Sequence, residues 1–303
     1  MSDFFNSSWS IYIAAVTVLS LVACIVLLMV AARRREMAGD NTTGHVWDQD
    51  LRELNNPLPR WWMWLFVITV VFSAIYLFFY PGLGSRQGTL GWSSVAQHQA
   101  EQEKARAVAA PLYASFANEP AAKLVRNPQA MAVGERLFAN NCATCHGADA
   151  RGSKGFPNLT DTDWLHGGTP EKIVETITQG RQGMMPPMAA AVGSAEDVRN
   201  VANYVLSLSG SPHNTIAASQ GGAKFAACAA CHGADGKGNP ALGAPNLTDN
   251  IWLHGWGEDA VMAMVNKGRT NVMPAHAARL TAEQIHVLAA YVWGLSNKAP
   301  VAP

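Results

Sequence analysis

Cys142-Ala143-Thr144-Cys145-His146-Gly147-Ala148-Asp149 returns as Cys228-Ala229-Ala230-Cys231-His232-Gly233-Ala234-Asp235, an offset of 86 positions. Pro157-Asn158-Leu159-Thr160-Asp161 then returns as Pro245-Asn246-Leu247-Thr248-Asp249 at an offset of 88, so the second copy carries a two-residue insertion between these motifs. The offset of 88 holds through Trp164-Leu165-His166-Gly167 with Trp252-Leu253-His254-Gly255, through Gly180-Arg181 with Gly268-Arg269, and through Met185-Pro186 with Met273-Pro274. Each copy closes on a start signal in or near capping-box form, Ser194 with Asp197 and Thr281 with Gln284. Val198, Val201, Ala202, Val205 and Leu208 then share the spacing of Ile285, Leu288, Ala289, Val292 and Leu295, one face of a helix in each copy. A shorter helix precedes the cysteines, with Gly134 and Phe138 ahead of Cys142. Phe225 stands one residue closer to Cys228, which leaves the register of the second copy's helix open. These are two copies of one small helical domain joined by a linker.

Two cysteines three apart with His directly after the second are the attachment signature of c-type haem. The thiols add to the vinyl groups, and the adjacent imidazole becomes the proximal iron ligand. A thioredoxin-like pair would need a βαβ context that is absent, and a zinc site would want its second cysteine pair about 15–20 residues away. Two covalently attached haem c groups are therefore expected, on Cys142 and Cys145 and on Cys228 and Cys231, with His146 and His232 as proximal ligands. For the second axial position the repeat nominates Met185 and Met273. His166 and His254 are also matched and leave bis-histidine ligation open, although thioether raises the potential. Met184 aligns with Val272, and Met188 with His276, so neither is shared by both copies. Arg181, Arg269, Trp164 and Trp252 could bond haem propionates through guanidinium and indole N–H. Six-coordinate iron leaves no open position for substrate, so the domains should carry electrons and have no catalytic residues.

The chain has 303 residues, with 22 basic and 22 acidic side chains; this neutrality argues against a nucleic-acid partner. At 49% hydrophobic and 15% charged it is not a disordered composition. From Phe4 to Ala32 no residue is charged, and Trp61 to Ser85 is a second uncharged run; about 20 such residues span a bilayer as a helix. A cleaved signal peptide does not suit the first run, because Arg33, Arg34 and Arg35 follow it and no basic residue precedes it. Trp61, Trp62, Trp64, Tyr76 and Tyr80 suit the interfacial belts. The intervening segment holds Arg33, Arg34, Arg35, Arg52 and Arg60, which makes it cytoplasmic by the positive-inside rule and puts both termini on the periplasmic side of a bacterial inner membrane. Cys24, within the first run, reads as a small apolar residue. All nine histidines lie outside both runs, so this chain holds no b-type haem or copper by histidine within the bilayer.

The expected fold is mainly α, with two N-terminal transmembrane helices followed by two tandem all-α cytochrome c domains. Its expected organisation is a transmembrane helix at 1–32, a cytoplasmic loop at 33–60 and a second transmembrane helix at 61–85. A periplasmic linker follows at 86–130, with a polar helix over Ser93 to Ala110 ended near Pro111. The first cytochrome c domain takes 131–210, an interdomain linker 211–221 and the second domain 222–303.

The run from Trp47 to Trp62, ending Asn55-Asn56-Pro57-Leu58-Pro59-Arg60-Trp61-Trp62, and the tandem Cys-x-x-Cys-His domains after it resemble subunit III, the P subunit, of the cbb3-type (C-family) haem-copper cytochrome c oxidases. Many members of that family have one membrane helix. The resemblance implies His146 with Met185 and His232 with Met273 as axial pairs. It also implies electrons passing from a soluble or membrane-bound donor cytochrome c, beside a monohaem c-type cytochrome subunit, to a catalytic haem-copper subunit that reduces oxygen and pumps protons. A dihaem cytochrome serving a periplasmic dehydrogenase and exchanging electrons with quinone is the alternative. A transmembrane haem sensor would need a cytoplasmic output domain larger than this loop.

Overall fold

A computed structural model of the chain describes residues 6–33, 41–54 and 56–297. Arg34, Arg35, Asn55 and residues 298–303 lie outside the described residues. The chain divides into two units, Met1–Val108 and Ala109–Pro303.

In the first unit the apolar runs become α1 (Ser7–Ala32) and α2 (Arg60–Phe79), each long and apolar enough to cross a membrane and neither buried by the rest of the chain. Asn6 caps α1 by accepting from the Trp9 amide. The aliphatic hydroxyls inside α2 bond to their own helix, Thr69 to the Phe66 carbonyl and Ser73 to the Thr69 carbonyl, as suits a helix in lipid. α2 stops earlier than the uncharged run because Pro81 lacks an N–H and pushes Tyr80 into an extended conformation. The Ser85 amide donates to Ser10 Oγ at 2.7 Å, joining the end of one helix to the start of the other. Within the loop of 33–60 the sequence concealed a hairpin, β1 (Thr42–Trp47) against β2 (Leu51–Leu54). It turns through Asp48 and Gln49, both at positive φ. Glu53 fastens it, accepting from Thr43 Oγ1 at 2.9 Å and Trp47 Nε1 at 3.1 Å.

α3 (Ser94–Phe116) does not end near Pro111; the proline lies inside it. Its last turn carries Leu112, Tyr113 and the buried Phe116 into a core with Leu124, Ala130, Val287 and Ala290. Burying one Phe contributes about 1.5–3 kcal/mol, which offsets most of the roughly 3 kcal/mol that a mid-helix proline costs.

The second unit follows as α4 (Ala121–Leu124), α5 (Pro128–Asn141), α6 (Ala143–His146), α7 (Pro170–Gln179), β3 (Arg181–Met185), α8 (Ala189–Val192) and α9 (Ala195–Leu208). The second copy supplies α10 (Thr215–Lys224), α11 (Ala226–His232), α12 (Glu258–Lys267), β4 (Arg269–Met273) and α13 (Ala282–Ser296). Both capping boxes form as the sequence suggests, at Ser194–Asp197 and at Thr281–Gln284. The unit is mainly helical, with one addition to the all-α expectation: β3 and β4 pair antiparallel, Arg181 opposite Met273 and Met185 opposite Arg269.

The two cores are each built from both copies. α13 of the second copy packs on α5 and α7 of the first, while α9 of the first packs on α10 and α12 of the second. One core joins Phe138, Ile173 and Ile177 to Leu280, Ile285, Leu288 and Val292. The other joins Val192, Val198, Val201 and Val205 to Phe225, Cys228 and Val265. Gly134 lets α5 approach Tyr291 closely, since a Cβ there would stand 2.5 Å from that of Tyr291. Gly221 does the same for α10 against the backbone of Asn200 on α9. Tilted ring pairs repeat the crossing, Phe138 against Tyr291 at 5.7 Å and Phe225 against Tyr204 at 5.2 Å. The short connection from Ser209 to Asn214 explains it: α9 and α10 must lie side by side as a helical hairpin, which leaves the face of α5 to be covered by α13.

Candidate haem-binding sites

His146 and His232 close the short helices α6 and α11 and are each 7% exposed. His146 Nδ1 stands 3.0 Å from the Pro157 carbonyl, and His232 Nδ1 stands 3.0 Å from the Pro245 carbonyl. A carbonyl only accepts, so Nδ1 carries the proton in both rings and Nε2 keeps its lone pair, the state a metal ligand needs. Burial pushes the His146 imidazole below its ordinary pKa, against the opposing effect of the Pro157 bond, with a further downward push from His276. The matched Pro-Asn-Leu-Thr stretch thus has a definite task that the sequence did not disclose. Pro157 and Pro245 aim the imidazoles, while Asn158 and Asn246 accept from the amides of Thr160 and Thr248 to shape the turn.

Gly147 and Gly233, at φ +78° and +79°, turn the chain out of each short helix where an L side chain would be strained. Beside them Cys142 and Cys228 sit in the cores, and Cys145 and Cys231 are exposed. Burial pushes the Cys142 thiol up to about 11. Among the described residues no three His, Cys, Asp or Glu side chains converge.

The methionines are seated across the repeat. Met273 packs against the core that contains Phe138 and Cys142, and Met185 against the core that contains Phe225 and Cys228. Each methionine thus shares a core with the attachment cysteine of the other copy, Met273 with Cys142 and Met185 with Cys228. The reason is the crossing of the helices: β3 and β4 pass each other as an antiparallel pair, and each delivers its last residue to the opposite core. The loop after β4 goes with it, since the His276 amide donates to the Ile177 carbonyl at 3.0 Å. The mirror contact is the Met188 amide to the Val265 carbonyl at 2.8 Å. Met184 and Val272 point outward, 70% and 66% exposed.

Four buried side-chain nitrogens have no hydrogen-bond partner among the described residues: Arg181 Nη2, Trp252 Nε1, His254 Nδ1 and His276 Nδ1. An unsatisfied buried donor costs about 1–3 kcal/mol, so the arrangement fits a group that brings acceptors, as the two carboxylates of a haem would. Arg181 is aimed by two bonds, Nε to Thr176 Oγ1 at 2.9 Å and Nη1 to Glu175 Oε1 at 2.8 Å, with Nη2 left over. Arg181 first, then Lys172, holds the Glu175 carboxyl down at about 2. Trp164 is packed against the first core, and Arg269 is exposed, so the donors left open differ between the copies. His166 donates to the Pro240 carbonyl, and His254 Nε2 lies 2.9 Å from Asn271 Nδ2. A cleft of about 310 Å³ between the two motif loops is lined by Asp163, Trp164 and Leu165 of the first copy and Lys237, Pro240 and Pro245 of the second.

Comparison with known proteins agrees with this geometry. Residues 39–87 match the family model described as the N-terminal domain of cytochrome oxidase-cbb3, FixP. Residues 129–205 and 217–292 each match the model for cytochrome c oxidase, cbb3-type, subunit III. The chain is 68% identical to the cbb3-type cytochrome c oxidase subunit CcoP of Rubrivivax gelatinosus over 302 residues, covering 100% of this chain and 99% of that one. It is 44% identical to the FixP subunit of Azorhizobium caulinodans over 280 residues, 86% of this chain and 94% of that one. Cereibacter sphaeroides CcoP is 38% identical over 275 residues, 84% and 94% of the two chains. With two attachment motifs, two buried and oriented imidazoles and two cytochrome c domains, the chain belongs to the subunit III family of the cbb3-type cytochrome c oxidases and carries c-type haem in both copies.

Proposed function

We propose that this chain is a membrane-anchored electron relay, taking electrons from a donor cytochrome c and passing them toward the catalytic haem-copper subunit of a cbb3-type oxidase, beside a monohaem c-type cytochrome subunit. The observation that carries the reading is that each buried imidazole, turned by a proline carbonyl, stands four residues after a cysteine whose core also seats a methionine. Bound haem supplies a one-electron iron couple. Cys142 and Cys145 hold one haem and Cys228 and Cys231 the other. His146 takes its axial partner Met273 from the second copy, and His232 takes Met185 from the first. Both axial positions are then filled by protein, so the chain moves electrons and leaves oxygen chemistry to its partner. Arg181 and Trp252 offer their unpaired nitrogens to haem carboxylates.

On the same reading α1 and α2 cross the inner membrane with residues 33–60 in the cytoplasm. Residues 86–130 lead into the haem-bearing unit on the periplasmic side, since Arg33, Arg52 and Arg60 flank the cytoplasmic ends of the helices.

The test uses the full chain. Denatured protein should retain two haems on the polypeptide, and retention of one would refute the dihaem assignment. With Cys142→Ala and Cys145→Ala together, only the second haem remains. There Met185→Leu should abolish the thioether-to-iron charge-transfer band and Met273→Leu should spare it. The opposite result would refute crossed ligation.

A further inference from the structure

Two basic groups from separate parts of the chain meet around His254. Arg269 comes from β4, and Lys154 comes from the loop after the first copy's motif, its Nζ 3.6 Å from where a Cβ on Gly255 would stand. The first copy's Gly155 amide donates to the Leu253 carbonyl at 2.8 Å and holds that loop in place. Among the described residues the charges that act on His254 are those of Arg269 and Lys154, both basic. The matching place in the first copy differs, because Glu175 neutralises Arg181 there and the His166 ring is spent on the Pro240 carbonyl.

The His254 tautomer follows from its partner. Asn271 Nδ2 is an amide nitrogen and only donates, so His254 Nε2 accepts and Nδ1 carries the proton. That Nδ1–H is buried without an acceptor, as is the indole N–H of Trp252 two residues earlier. Two unsatisfied donors inside a group of cations make a seat for an anion.

We infer that Trp252, His254, Arg269 and Lys154 form the carboxylate seat of the haem on Cys228 and Cys231, and that His254 takes up a proton when that haem is reduced. This rests on the haem assignment proposed above. Reduction adds one electron from the donor cytochrome and removes one positive charge from the iron, so a nearby imidazole binds a proton more tightly. The proton comes from solvent and bonds to His254 Nε2. The Asn271 amide group then releases that nitrogen and turns its oxygen to accept from it. Burial first, then Arg269 and Lys154, depresses the basicity of His254, and the Asn271 donor faces a lone pair on Nε2.

The experiment is a potentiometric titration of the full chain, followed optically across the pH range of imidazole titration. One haem should show a potential that falls as pH rises, by at most about a tenfold change in the redox equilibrium per pH unit. That dependence should persist in the chain with Cys142→Ala and Cys145→Ala, which keeps only the second haem. His254→Gln should abolish it while leaving both covalent haems and both thioether bands in place. Lys154→Met should move its onset to higher pH. Two pH-independent haems in the unsubstituted chain would overturn the inference, as would a slope that survives His254→Gln or one lost through His166→Gln instead. Fewer than two covalent haems would defeat the underlying assignment, and haem counting reads that separately.

Discussion

Leu288→Ala should loosen the haem attached at Cys142 and Cys145, 146 and 143 positions away along the chain, and leave the haem of its own copy alone. Leu288 is fully buried, at 0% exposure, in the core that holds Phe138, Ile173 and Ile177 and against which Met273 packs. Truncation to Ala removes three carbons, about 2.4 kcal/mol of transfer free energy at roughly 0.8 kcal/mol per methylene. The cavity left behind brings the cost to about 3 kcal/mol, within the usual range of about 2–5 kcal/mol for such changes. If all of it falls on the seat of Met273, the open state becomes about a hundredfold more populated, since 1.4 kcal/mol is a factor of ten. Added imidazole binds ferric iron only in that open state, so its affinity reports the opening under native conditions. In chains carrying only the first haem, through Cys228→Ala and Cys231→Ala, Leu288→Ala should raise imidazole affinity by up to about a hundredfold. In chains carrying only the second haem it should change little. Val201→Ala in α9, also at 0% exposure, should do the reverse. With two carbons lost, about 1.6 kcal/mol, the factor is about ten or somewhat more. Leu288→Ala acting on the second haem and Val201→Ala on the first would refute the crossed cores.

Two further predictions concern pH and the anchor. The Asp163 carboxyl is pushed up by burial first and then by Asp249 and Asp161, so its ionised form costs stability, and that cost appears as pH rises through the folded-state pKa. Asp163→Asn should raise the thermal midpoint at neutral pH, and the gain should vanish at pH values below the ordinary aspartate range; an equal gain at low pH would mean that packing, not charge, was responsible. In the anchor, Trp61, Trp62 and Trp64 are all exposed along the first turns of α2, an aromatic density that lipid contact alone does not require. Deleting residues 1–32 with the triple arginine should leave the oxidase co-purifying, whereas replacing residues 57–85 by an unrelated apolar helix should release it. Equal loss from both variants would refute this division of labour.

Much of this protein is local and was legible in order along the chain. A Cys-x-x-Cys-His run places two thiols and an imidazole on one short turn whatever surrounds it. A capping box closes within four residues, and an uncharged run of about 20 residues needs only its own backbone bonds to be a helix. The offset of 88 likewise identified Met185 and Met273 as equivalents. Which core each methionine joins was not legible, because a repeat shows which residues correspond and not which copies touch. That choice rests on the connection from Ser209 to Asn214, too short to let α10 leave the side of α9, so α10 covers α9 and the face of α5 is left to α13. Pro111 shows the same limit in miniature: its local penalty marks a helix end, and the burial of Phe116 overrides it. The seat around His254 depends on Lys154 and Arg269, which lie 100 positions before it and 15 after it. Charges so far apart in sequence acquire a common anion only when the tertiary structure brings them to one place.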